Sequence, residues 1–170
     1  MAEHRVAGLP FDPIVEARRH WDDRWEEGRA MAAATSIMRA QQLVLAEVDR
    51  ALRPFGLTFA RYEVLVLLLF SRRGSLPMGK MGDRLMVHPT SVTSIVDRLE
   101  RDGLVRRAAH PDDRRIILAE LTAEGRELAL RATKAVEAVR FGLGALGDRE
   151  LDQLTRVVTR LRKGAGDFTG

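Results

Sequence analysis

The chain has 170 residues, 45% apolar and 31% charged, with a formal net charge of +4, the composition of a globular chain long enough for one ordinary domain with appended helices and too short for multidomain machinery. It contains no cysteine, which excludes disulfides, thiolate metal sites, iron–sulfur clusters and cysteine nucleophiles, and its longest apolar run, Val64 to Phe70, is too short to cross a bilayer. Residues 1–53 carry 8 basic and 9 acidic side chains, residues 54–122 carry 11 and 8, and residues 123–170 carry 9 and 7, so the basic excess lies in the middle and tail.

That excess suits a nucleic-acid partner. Arginine dominates it, however, with lysine only at Lys80, Lys134 and Lys163, and codon usage alone produces such a bias. The first eleven residues hold no apolar run of the kind a secretory signal needs, so a cytoplasmic protein without membrane attachment is expected.

From Pro13 onward, Ile14, Trp21, Trp25, Met31, Met38, Leu45, Val48 and Leu52 recur at the spacing of an amphipathic helix that stops before Pro54. Gly28, inside the polar stretch from Asp22 to Arg29, predicts a break, hence a short helix followed by a long one. A helix this long with no sheet after it needs a surface on which to bury its stripe, and a second subunit is the simplest supplier. Arg61 to Phe70 reads as a compact apolar helix and Ser71 to Ser75 as its turn. Met78 to Met86 is a short segment weakened by Gly79 and Gly82, expected to be short or mobile.

Pro89 suits a first helical turn, and Val92, Ile95, Val96 and Leu99 follow the i, i+3, i+4, i+7 pattern until Asp102-Gly103 ends the helix. Leu104 to Arg107 and Ile116 to Leu121 have strand-like residues, separated by the turn chemistry of Pro111 to Arg114. The central order is therefore helix, helix, helix, hairpin. Two further helices follow. The first carries Leu128, Leu130, Val136, Val139, Phe141 and Leu143. The second, after Gly142, Gly144 and Gly147, carries Leu151, Leu154, Val157, Val158 and Leu161.

If Val92, Ile95, Val96 and Leu99 are buried, the opposite face of that helix must expose Thr90, Ser94, Asp97 and Arg101, flanked by Ser91 and Arg98. Short hydroxyl side chains let a helix sink into a major groove, and arginine can take guanine O6 and N7 bidentately. A solvated face rich in Ser and Thr would look the same. The hairpin tip adds Asp112, Asp113, Arg114 and Arg115. A tip arginine can enter a minor groove, and Asp112 can hold its direction through a carboxylate pair, whereas an ordinary surface turn explains the tip taken singly. The combination is harder to obtain by chance.

Three stretches, Leu57 to Leu65, Pro89 to Glu100 with Gly103-Leu104-Val105, and His110-Pro111-Asp112-Asp113-Arg114-Arg115 closing on Leu121-Thr122, resemble the MarR family of bacterial winged helix-turn-helix regulators. The resemblance is dense over about residues 56 to 125. It implies a mainly α fold with a small β-hairpin wing (α+β). It also implies a homodimer through the N- and C-terminal helices and a palindromic double-stranded DNA operator. Thr90, Ser91, Thr93, Ser94, Arg98 and Arg101 are then the DNA-facing helix residues, and Asp112, Arg114 and Arg115 those of the wing, with Arg114 probing minor grooves. The N-terminal helix with Trp21, and the acid Glu63, resemble the urate-responsive branch, while Ser94 stands where that branch has arginine.

Three segments follow: an extension and dimerisation helix over 1–53, a DNA-binding lobe over 54–122 and dimerisation helices over 123–170. The expected function is a sequence-specific transcriptional regulator, a repressor released by a small organic ligand such as an aromatic anion. Trp21, Trp25, Tyr62 and Glu63 are candidates to line its pocket, although the aromatic residues also suit core or interface positions. An effector-independent or architectural DNA-binding protein is the alternative, and a small-molecule enzyme a more remote one. The histidines at 4, 20, 88 and 110 lack paired metal-ligand spacing, and no phosphate loop, dinucleotide fingerprint or nucleophile elbow occurs, so neither metal nor cofactor is expected.

Overall fold

The computed structural model describes residues 8–85, 89–113 and 115–169, the side chain of Pro89 excepted. The chain forms two compact units, Met1–Leu45 and Ala46–Gly170. Among the described residues no helix is long and apolar enough to cross a membrane.

The first unit holds α1 (Pro13–Asp22) and most of α2 (Gly28–Leu52), the short and long helices that the apolar spacing predicts. Asp12 caps α1 by accepting a hydrogen bond from the Ile14 N–H at 2.8 Å, with Pro13 in the first turn. The break occupies the polar residues before Gly28. There the Trp21 Nε1 donates to the Glu26 carbonyl at 2.7 Å, and the Trp21 and Trp25 rings lie 4.9 Å apart. Gly28 begins α2 where a Cβ would fall 1.8 Å from the Asp22 carboxylate, so glycine here permits a close approach rather than merely weakening a helix.

In the second unit, the end of α2 supplies buried Val48 and Leu52, and Gly56 turns the chain with φ 66°. The next helix, α3 (Phe59–Phe70), buries Tyr62, Val64, Leu65 and Leu68. Its N-cap residue Thr58 makes no side-chain cap. Asp49 replaces it, accepting from the Phe59 N–H at 2.7 Å and placing a carboxylate at the positive end of the helix. Beyond α3 come β1 (Ser75–Pro77), α4 (Met78–Leu85), α5 (Pro89–Arg101), β2 (Val105–Ala109), β3 (Ile117–Leu121), α6 (Ala123–Ala138) and α7 (Asp148–Gly164). The core gathers Leu65, Leu68, Met81, Val92, Val96, Leu99, Val105, Ala119, Ala129, Ala132 and Val136.

The sheet has three antiparallel strands in the order β1-β3-β2, with Leu76 opposite Ala119 and Arg107 opposite Ala119 on the other side. The two-stranded hairpin expected from sequence is thus incomplete. Three residues ending in proline carry no readable alternation, and β1 is a strand only because β3 offers an edge. The segment with Gly79 and Gly82 does form a helix, short as expected, in which Met81 and Gly82 are buried. His88 lies outside the described residues.

A second correction concerns α6, which ends at Ala138. Phe141 belongs to a 3-10 turn, Arg140–Gly142, with Arg140 at φ 48° and Phe141 at φ 52°, so neither Phe141 nor Leu143 continues the helical stripe. The last helix, α7, buries none of its residues. Leu154 is 41% exposed, and Val157 and Leu161 are each 56% exposed.

Thr122 fastens α6 to the sheet. Its Oγ1 accepts from the Gly125 N–H at 2.9 Å and donates to the Gly103 carbonyl at 2.8 Å, while its own N–H reaches the Leu104 carbonyl at 3.2 Å. A Cβ on Gly125 would lie 2.0 Å from that Leu104 oxygen, and backbone cannot step aside as a side chain can. Gly125→Ala is therefore expected to lower stability by about 1–3 kcal/mol, the cost of overpacking a closed interior. Thermal or denaturant unfolding measures it, and an unchanged midpoint would show that the junction has slack.

Candidate nucleic-acid interface

Helix α5 is amphipathic as the spacing requires. Val92, Val96 and Leu99 are buried, Ile95 is half-buried, and Thr90, Ser91, Thr93, Ser94, Asp97, Arg98 and Arg101 are all exposed. The helix packs on α3, α4 and β2, leaving this polar face to solvent. The expected helix residues thus share one surface. Beside them lies a shallow concavity of ≈ 340 Å³ lined by Thr58, Arg61, Ser94, Ile95, Arg98 and Arg101, which combines three guanidiniums with two hydroxyls. Arg61 pairs with Asp102 at 3.4 Å and is largely covered. Neither Thr58 nor Arg61 was legible as part of this surface, because their partners lie about forty residues further along the chain and no periodicity links α3 to α5.

An ion-pair cluster ties this helix to the sheet. Arg107 on β2 donates to Asp97 at 2.5 Å and also to Glu100, whose carboxylate in addition accepts the Arg107 backbone N–H at 3.0 Å. On the next strand Glu120 pairs with Arg106 at 2.7 Å. Asp97, read as part of the exposed face, is thus committed to orienting α5. The Arg101 Nε reaches the Asp97 carbonyl at 3.3 Å and leans back along its own helix.

At the wing tip, Arg114 lies outside the described residues, as does any contact it makes with Asp112. The carboxylate–guanidinium pair that is described joins neighbours of the expected two. Asp113 accepts from the Arg115 N–H, Nε and Nη2, each at 3.0 Å, and these bonds, side-chain ones foremost, hold the Asp113 carboxyl below the usual carboxylate range. The Asp112 backbone N–H donates to the His110 Nδ1 at 3.2 Å. The hairpin closes through the His110 N–H to the Ile116 carbonyl at 2.9 Å.

The candidate ligand residues divide between the two units. Trp21 and Trp25 belong to the first, where they contact each other. Tyr62 and Glu63 line a cavity of ≈ 640 Å³ within the second, walled by side chains that include Val66 of α3, Leu130 of α6 and Phe141 of the 3-10 turn, with Thr133 and Glu137 on the α6 side. The Tyr62 hydroxyl lies 3.1 Å from the Thr133 Oγ1. Burial raises the Glu63 carboxyl above its ordinary value.

Comparison with known proteins follows the same outline. The family model described as MarR family matches residues 58–117. The chain is 36% identical over 169 residues to the uncharacterized HTH-type transcriptional regulator YhbI of Bacillus subtilis (strain 168), covering 99% of this chain and 92% of that protein. It is 32% identical to the HTH-type transcriptional repressor MdtR of the same organism, covering 76% and 83%. Among solved structures, Sco5413, a MarR family transcriptional regulator from Streptomyces coelicolor, is 54% identical with a TM-score of 0.77 over 84% of this chain and 99% of that one. Sco3205 from the same organism, a MarR family regulator in complex with DNA, is 30% identical with a TM-score of 0.74 over 83% and 90%. CouR from Rhodococcus jostii RHA1, bound to p-coumaroyl-CoA, is 29% identical with a TM-score of 0.70 over 81% and 94%.

A double-mutant cycle tests the helix-to-sheet tether. Asp97→Asn and Arg107→Gln, combined and alone, should show a coupling of about 0.5–1 kcal/mol in denaturant unfolding, toward the upper end for partly exposed pairs because Arg107 also binds Glu100. Strictly additive effects would mean that the pair does not hold α5.

Proposed function

Because the chain belongs to the MarR family of DNA-binding transcriptional regulators, and is no enzyme, we propose that it is a repressor that binds a palindromic operator as a homodimer and is released by a small organic ligand. The observation that carries the reading is the polar face of α5, where hydroxyls and arginines stand together opposite the buried Val92, Val96 and Leu99. The proposed DNA contacts are Thr90, Ser91, Thr93, Ser94, Arg98 and Arg101 in the major groove and Asp112, Arg114 and Arg115 at the wing. Arg61 joins them as a phosphate-side charge beside Arg98 and Arg101.

The dimer is supported by apolar side chains that a monomer leaves in water: Leu154, Val157 and Leu161 on α7, and Ile37, Met38 and Leu43 in the first unit. On this reading residues 1–53 and 123–170 serve dimerisation and residues 54–122 serve DNA binding. The effector part rests on the apolar cavity that Tyr62 and Glu63 line. A ligand there lowers DNA affinity only by favouring a lobe spacing that mismatches successive grooves, and a typical coupling of about 1–3 kcal/mol corresponds to roughly a 5- to 150-fold loss.

Two measurements test the proposal. Sedimentation at micromolar concentration should give a dimer, and a stable monomer would refute the symmetric model. A palindrome of roughly 16–20 base pairs, with half-sites about one helical turn apart, should bind far better than random duplex. Arg98→Ala and Arg114→Ala should each cost about 1–3 kcal/mol of operator affinity at fixed salt, and Arg115→Ala less, since Asp113 already engages that guanidinium. Wild-type affinity in both of the first two variants would remove the helix and the wing from the interface.

A further inference from the structure

The cavity between α3 and α6 has a chemical character that the sequence did not announce. Its wall is largely apolar, built from Phe59, Val66, Leu67, Leu69, Leu130 and Phe141 among others, and its volume of ≈ 640 Å³ falls within the range of about 300–1,000 Å³ typical of small-molecule sites. The side chains of formal charge at neutral pH among the described residues that line it are two carboxylates, Glu63 from α3 and Glu137 from α6; no arginine, lysine or histidine is among them. Neither carboxylate takes part in an ion pair among the described residues. The remaining polar groups are hydroxyls, of Tyr62 and Thr133, and these face each other at 3.1 Å.

We propose that this cavity takes an apolar ligand carrying a positive charge, an organic amine or ammonium compound, with Glu63 as its counter-charge. The inference rests on the reading of the cavity as the effector site and specifies which class of effector it accepts. An aromatic carboxylate, the class expected from sequence, would bring a third negative charge into a half-closed apolar space beside two others, and no lining cation is described there to receive it. Such a charge is costly unless paired. An ammonium reverses the sign of both terms. It supplies Glu63 with a counter-charge that no described residue provides, in a setting where burial already disfavours the carboxylate, and it forms a charge-assisted hydrogen bond. Its hydrocarbon body then covers the aliphatic and aromatic wall, and Glu137, more exposed at the α6 side, contributes a weaker attraction.

The experiment titrates the full-length protein by calorimetry near neutral pH with three probes of one shape: phenylbutylamine, phenylbutanol and phenylbutyrate. The amine should bind about tenfold more tightly than the alcohol, the increment of one well-placed charge-assisted contact, and the carboxylate should bind weakest. Glu63→Gln should abolish most of the amine's advantage while leaving the alcohol unchanged, and Glu63→Asp, which keeps the charge, should retain it. Circular dichroism and melting of each variant establish that it folds. A carboxylate that binds as tightly as the amine, or an amine preference that survives Glu63→Gln, overturns the inference. If the alcohol binds and releases DNA with no preference for the amine, the effector cavity stands and only its charge selectivity falls. If none of the three binds, or if binding persists in Leu130→Trp, which fills the cavity, the effector reading itself falls and the inference with it.

Discussion

The obligation of one helix to bury one face governs the rest of the second unit. Val92, Val96 and Leu99 are withdrawn from water against α3, α4 and β2, and each such side chain contributes about 1.5–3 kcal/mol by burial. A rotation of α5 by a single residue would turn it through about 100° and exchange those side chains for hydroxyls and charges. The polar face is therefore not separately positioned. It is wherever the apolar face is not, which gives the polar side chains of α5 a common orientation without a dedicated scaffold for any of them.

Apolar burial fixes rotation about the helix axis but resists sliding along it poorly, and the Asp97–Arg107–Glu100 cluster addresses that second freedom. Arg107 reaches two carboxylates one turn apart on the helix and takes one of them by its backbone N–H as well. A guanidinium fork suits this geometry because its donors are fixed in a plane. The cluster thereby ties strand β2 to helix α5 through three contacts made by one residue.

On the other side of the sheet, Thr122 and Gly125 bring α6 so close to the Leu104 carbonyl that no side chain fits between them. This approach sets the line along which α6 meets α3 and so shapes the cavity holding Tyr62 and Glu63. The same junction connects the sheet to the C-terminal helices, whose last member leaves its apolar stripe in water. The chain thus closes the lobe around α5 internally while leaving apolar side chains of α7 exposed.

The sequence by itself determined the helices, because a period of 3.6 with glycine and proline stops is written in local residue order, and it determined which face of α5 is polar, since burial of four apolar positions dictates the exposure of the rest. It also carried the hairpin and the family, whose markers cluster between Leu57 and Thr122. Tertiary structure decided what depends on residues distant in the chain. It made a strand of Ser75–Pro77 because β3 had an edge to offer, and it brought Arg61 beside Arg98 and Arg101. It paired Asp113 with Arg115, and it set Glu63 and Glu137 around one cavity with no lining cation among the described residues. Local order encodes periodicity and turns. Pairing across a core, and the charge a cavity ends up with, depend on which surfaces meet, and no single stretch of residues contains that information.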